Sequence, residues 1–264
     1  MSTFWNRAIA TTTIALVAGL GLTACGAGGT ETTTEPGTNG SQSQPAPETS
    51  GAMTAETFVQ RINDAQFAAG SAHFVQTMEV SGQKIESSGD MIIAQDPSQM
   101  RMSMVMAGGM EMRLVDGEMY MSMGEATGGK FVHLSAEAGS PIADELSASM
   151  DQANLGEQLE LFETSLQDFA AEEGAETIDG VETTKYTLTL DTETLFAEQG
   201  TEIPAEAGIG DTIEYVLYAG DDDLPRRMVM EVAGTAVVME FSRWGEEITV
   251  EAPSADEITD QMPF

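Results

Sequence analysis

From His73 onward the chain keeps a two-residue period, and that period limits what it can fold into more than any other feature. Phe74, Gln76, Met78 and Val80 alternate with Val75, Thr77 and Glu79. Met100, Met102, Met104 and Met106 alternate with Arg101, Ser103 and Val105, and the pattern returns at Met110 and Met112 and at Met119, Met121 and Met123. Turn residues separate the runs: Ser81-Gly82, Asp96-Pro97, Ala107-Gly108-Gly109 and Asp116-Gly117. Asp-Gly between alternating runs predicts a hairpin, because both central residues of a type I′ turn need positive φ. The spacing therefore predicts an antiparallel meander, with strands over 85–95, 100–106, 110–115 and 119–123 after the first. A second block is predicted at 176–178, 181–190, 211–218, 226–232, 235–241 and 247–250, with Asp179-Gly180 as another hairpin signal.

Helical spacing frames these blocks. Thr54-Ala55-Glu56-Thr57 reads as a capped helix start. Phe58, Val59, Ile62, Ala65 and Gln66 follow on one face, and Gly70 is the expected end. Residues 140–172 lose the alternation: Ile142, Leu146 and Met150, then Leu155, Leu159, Phe162, Leu166 and Phe169, predict two short helices. A further short helix is expected over 192–198 and a helical tail after Ser254. The fold class is α+β, one domain with about ten strands in a single large antiparallel sheet.

Methionine dominates the alternating face. Ten of the 18 Met lie between Met91 and Met123, and Met228, Met230 and Met239 with Phe241 repeat the pattern near the C-terminus. Residues two apart on a strand share a face, so one face is thioether while Arg101, Ser103, Glu111, Arg113 and Ser122 make the other wet. Strands ordinarily favour β-branched residues, which specify a rigid core. Met is unbranched and adapts to irregular apolar shapes. Such a face suits a cavity with contents of variable length, such as acyl chains, and it reads equally as a plain sheet–helix core. Cu(I) is a third reading, because thioethers suit a soft ion. Against it, the sulfurs spread over three strands, and His73 and His133, the two histidines, lie outside the Met runs.

Charge narrows the partners. The net charge is −34, and beyond Cys25 nine basic residues stand against all 44 acidic ones. This excludes a phosphate-binding surface for nucleic acid and flat adsorption to anionic headgroups. A host living in concentrated salt would screen the self-repulsion. The chain has no G-x-S-x-G, no H-E-x-x-H and no Gly-rich phosphate loop, so no catalytic role, metal or cofactor is assigned.

The N-terminus supplies an anchor. Arg7 precedes an apolar run, Ala8 to Leu20, too short to span a bilayer. Leu22-Thr23-Ala24-Cys25 then presents the sole cysteine and resembles the lipobox of bacterial lipoproteins. On this reading residues 1–24 are a signal peptide, Cys25 is diacylated, and the protein sits on the extracytoplasmic face of the membrane. Residues 25–53 hold hardly any large apolar side chain and form a flexible tether, leaving 54–264 as the folded domain. With no other cysteine the domain has no disulfide.

These parts together resemble the actinobacterial LppX/LprG/LprA/LprF lipoproteins. The local likenesses are Leu114-Val115-Asp116-Gly117-Glu118-Met119-Tyr120, Asp223-Leu224-Pro225-Arg226-Arg227, and Trp244-Gly245 followed by Ile248-Thr249-Val250-Glu251-Ala252-Pro253. The resemblance implies a LolA/LolB-like curved half-barrel sheet, with helices closing its concave face over a hydrophobic cavity. It also implies a non-enzymatic protein that binds acylated lipid or glycolipid and carries it across the envelope, with an unidentified transport partner. The implied cavity is lined by Met91, Met100, Met102, Met104, Met106, Met110, Met112, Met119, Met121, Met123, Met228, Met230, Met239 and Phe241. Leu146, Leu159 and Phe162 would be its lid.

Overall fold

In the computed structural model of the protein, residues 51–80, 82–134, 161–198, 209–232 and 234–259 are described. Cys25, the expected signal peptide, the expected tether up to residue 50, and Leu146 and Leu159 lie outside the described residues; the last residues expected in the tether belong to the fold instead, with Met53 buried in the core and its N–H donating to the Tyr186 hydroxyl at 3.1 Å.

Helix α1 (Ala55–Ala69) starts where the cap signal places it: the Thr54 N–H donates to Thr57 Oγ1 at 3.0 Å. It ends on Gly70 in the left-handed region, φ 75°, whose N–H returns to the Gln66 carbonyl. Strands β1 (Ser71–Val80), β2 (Gln83–Ile92), β3 (Arg101–Met106), β4 (Met110–Val115), β5 (Glu118–Met123) and β6 (Phe131–Leu134) form a meander of consecutive antiparallel neighbours. A second meander runs through β7 (Leu166–Ile178), β8 (Val181–Asp191), β9 (Thr212–Gly220), β10 (Pro225–Val232) and β11 (Thr235–Ser242), with helix α2 (Thr192–Glu198) between β8 and β9. β1 pairs with β11 and joins the two meanders into one open 11-stranded sheet, with β6 at one edge and β7 at the other. The expected class, α+β built on a large antiparallel sheet, is the observed one.

The Asp-Gly hairpins form as predicted. Asp116 and Gly117 have φ of 54° and 78°, and Asp179 and Gly180 have 49° and 82°, the positive pair a type I′ turn demands.

Three expectations need correction. Leu166 and Phe169 lie on strand β7, not on a helix. A register shift between Leu166 and Asp168 places two residues of β7 opposite one of β8. Leu166 then pairs with Leu190 and Phe169 with Leu188, so residues three apart share a face. The bulge thus imitates helical spacing. Second, residues 247–250 form no strand. β11 is flanked by β1 and β10 on its two sides, so the segment after it has no neighbouring edge to join. Third, the tail after Ser254 is not a helix but a turn, in which the Ser254 N–H and hydroxyl both donate to Glu257 Oε2, followed by a parallel bridge from Ile258 to Phe131. β6 was also missing from the sequence reading.

Candidate functional site: the methionine face

Register carries the two-residue period across the whole sheet. One row runs Val132, Met121, Met112, Met104, Gly89, Phe74, Phe241. The next runs Met123, Met110, Met106, Ser87, Gln76, Met239, Met228, Leu217, Tyr186. Directly opposed residues of an antiparallel pair project to the same side. The methionines of both meanders therefore share one continuous face.

The two halves of that face differ. Over β8 to β10, with Phe74 of β1 and Phe241 of β11, it is closed. Phe58, Val59 and Ile62 of α1 pack with Phe74, Tyr186, Leu188, Leu217, Met228 and Phe241 in a fully buried cluster. Phe58 is its centre, with ring centroids 5.4 Å from Tyr186, 5.5 Å from Phe169 and 6.0 Å from Phe162. Burying one such ring contributes about 2–3 kcal/mol. α2 closes the far end, with Leu195 and Phe196 against Ile213, Met230 and Val232. Burial pushes the Tyr215 hydroxyl well above its ordinary pKa, and it donates to the Met228 sulfur.

Over β3 to β5 the face is different in chemistry and in burial. Met102 and Met104, with Met91 of β2, touch the edge of the closed cluster. Met106, Met112, Met119, Met121 and Met123 are half-buried, and Met110 is 38% exposed. Met100 is half-buried just ahead of β3. Of the expected lid, only Phe162 lies among the described residues, in a helical stretch over 161–165. Val132 and Leu134, both buried beside Met121 and Met119, extend the face and were missed with their strand.

Gly89 was missed too. A Cβ there would lie 2.7 Å from the Phe74 ring and 2.0 Å from the Ser103 carbonyl, so only glycine lets that ring lie flat over β2.

The opposite face is not simply wet. Ser122 and Phe131 are buried on it, and Arg113 lies 4.6 Å over the Phe131 ring. Residues 249–259 cross it, held by Arg101 and Arg113 donating to the Val250 and Glu251 carbonyls and by Lys130 donating to that of Asp256. A polar hollow of about 240 Å³ remains between Ser103, Glu111, Arg113 and Thr249. Elsewhere this face carries ion pairs of Arg227 with Glu176 and Glu240, and a hydrogen bond between His73 and Asp90. Among the described residues no three His, Cys, Asp or Glu side chains cluster as a metal site would require.

No family model matches the chain, and no curated protein matches it by sequence. Solved structures do match. The Mycobacterium tuberculosis lipoprotein LppX aligns over 75% of this chain and 98% of its own, with a TM-score of 0.52 at 16% identity. LprF from Mycobacterium bovis aligns over 76% of this chain and 97% of its own, with a TM-score of 0.46 at 19% identity. The MucA/MucB complex of Pseudomonas aeruginosa aligns over 76% of this chain and 59% of its own, with a TM-score of 0.40 at 15% identity. The likeness is one of fold, and the fold is that of LppX.

Proposed function

We propose that this LppX-type fold works as a membrane-tethered, extracytoplasmic lipid-binding protein. It takes acylated lipid or glycolipid on its methionine face and carries it across the cell envelope without catalysis. Cys25 is the lipid attachment site, the residues from it to about 50 are the tether, and the binding domain follows, with Met53 already in its core. One observation supports this reading above the rest: the face is continuous, yet over β3–β5 it is lined mainly by half-buried thioethers, where over β8–β10 it is a closed core in which Met228 and Met230 stand among aromatic and aliphatic side chains. Flexible thioethers accept chains of differing shape, and each CH₂ removed from water contributes about 0.8 kcal/mol.

The test uses Met112 and Met121, which pair directly across β4 and β5 and stand outside the closed cluster. Replacing both by Lys is expected to abolish lipid loading, measured by solvent extraction of the purified protein. Val105→Lys, on the opposite face and at a position 51% exposed, should load normally. Equal loading in the two proteins contradicts the assignment and favours a filled core with a partner-binding acidic surface.

A further inference from the structure

The methionine face is not equally covered along its strands. At the end where β1 begins, one row runs Leu134, Met119, Leu114, Met102, Met91, Ala72, and Leu134 and Ala72 are buried. At the other end Met110, beside Met106 and Met123, is 38% exposed, and so is Ile85, opposite Met78. α2 packs at this second end against Ile213, Met230 and Val232 of β9 and β10, while Ile85 on β2 and Met110 on β4 keep their exposure.

Charge divides the same two ends. Connections at the first carry Asp96, Asp116, Asp179 and Asp221-Asp222-Asp223, whereas those after β1, β3 and β10 read Ser-Gly, Ala-Gly-Gly and Ala-Gly. Near these uncharged connections Glu79, Glu86, Glu111 and Glu231 alternate with the apolar residues and so project to the opposite face. Glu125, in the turn after β5, is the exception.

In a chain of net charge −34, an uncharged apolar edge is the part that can meet a membrane surface without repelling it or desolvating carboxylates. The tether has the length for that orientation. It joins the domain at the acidic end, where the Gly51 carbonyl accepts from Nη1 of Arg61, the partner of Asp223. Residues 26–50, 25 in all, have a contour of about 85 Å, against about 33 Å for the ten-residue strand β2. Anchor and uncharged edge therefore reach the same bilayer.

We infer that the edge formed by Ile85 and Met110 is a membrane-docking rim, which seats on a lipid bilayer and opens the methionine face to acyl chains passing between the two. This rests on the lipid-binding and tether readings above and adds the surface from which the site loads.

The test is flotation with phosphatidylcholine vesicles, whose zwitterionic headgroups do not oppose the protein's charge. The protein is exported behind a general secretion signal in place of residues 1–25, so that no acyl anchor contributes, and is purified without detergent. Wild-type protein is expected to float with the vesicles. Ile85→Glu with Met110→Glu should bind roughly tenfold more weakly or worse. Val105→Glu, which adds a carboxylate on the other face at a position 51% exposed, should bind as the wild type does. Ile85→Gln with Met110→Gln serves if the charged variant does not fold. Equal flotation of the edge variants and the wild type overturns the inference. Failure of the wild type to float also overturns it, and a wild-type dimer split by the edge substitutions would then assign the rim to a second copy. Solvent extraction of the same wild-type protein reads the lipid assignment separately: recovered lipid keeps that assignment, and a bare protein overturns it.

Discussion

Arg61 grips Asp223 through two atoms, Nε at 2.9 Å and Nη2 at 2.6 Å, each on its own carboxylate oxygen. The pair joins α1 to the β9–β10 turn across 162 residues of sequence and is only 17% and 12% exposed at its two side chains. Paired forks of this kind set direction as well as charge. The pair thus fixes how α1 lies over the core. Asp223 holds φ at 59°, a left-handed conformation that Asp and Asn tolerate better than most residues.

Removing one partner leaves the other half-desolvated. Asp223→Ala is expected to destabilise the domain by about 2–3 kcal/mol in urea unfolding. Asp223→Asn, which keeps the left-handed turn, should lose about half as much. A loss below about 0.5 kcal/mol for alanine would show that α1 is held by its apolar face alone.

Gly89 offers a sharper case. Gly89→Ala is expected to cost 3 kcal/mol or more, in line with severe overpacking (about 1–3 kcal/mol or above). Adding Phe74→Leu should not rescue it, because the nearer obstacle is the Ser103 carbonyl at 2.0 Å, which is backbone. Full rescue by the double variant would mean that the ring is the only constraint.

Much of this fold was legible because its signals are local. Asp116-Gly117 and Asp179-Gly180 specify their turns within two residues, and α1 announces itself by its spacing and its cap. What failed depends on neighbours distant in sequence. The bulge at Gln167 makes Leu166 and Phe169 look helical until their pairing with β8 is known. β6 is four residues long, with His133 exposed, too short to show a period. Residues 247–250 have a strand's composition, but β11, the strand they follow, already has β1 and β10 on its two sides. Along the methionine face the pattern gave the residues, while the division into closed and half-buried halves comes from where α1 docks. Asn63 stands four residues after Val59 and three before Gln66, a position on the apolar stripe that its polar side chain disguised.

Acid should loosen α2 through its cap. Asp191 Oδ1 accepts from the Thr194 N–H at 2.8 Å and hydroxyl at 2.7 Å, and these bonds hold its pKa below the ordinary carboxylate value. A depressed native pKa gives stability that is present above the unfolded value, about 4, and is lost as pH falls through the native one. The difference in stability between wild type and Asp191→Asn should therefore be largest at neutral pH and shrink on acidification. A difference independent of pH from 7 to 2 would remove the charged cap from the account.

Self-repulsion follows from a net charge of −34. Raising NaCl from about 10 mM to 1 M shortens the screening length from roughly 30 Å to 3 Å, and the melting temperature should rise by several degrees. A flat or falling response would mean that the acidic surface is already neutralised by its geometry.

Native mass spectrometry of the detergent-free protein, exported without Cys25, tests the lipid assignment most directly. The account predicts adducts at lipid masses that solvent extraction removes and that host lipids restore, and that are missing when Met112 and Met121 are both Lys. A protein that stays bare after incubation with host lipids would contradict it, and the methionine face would then be ordinary core.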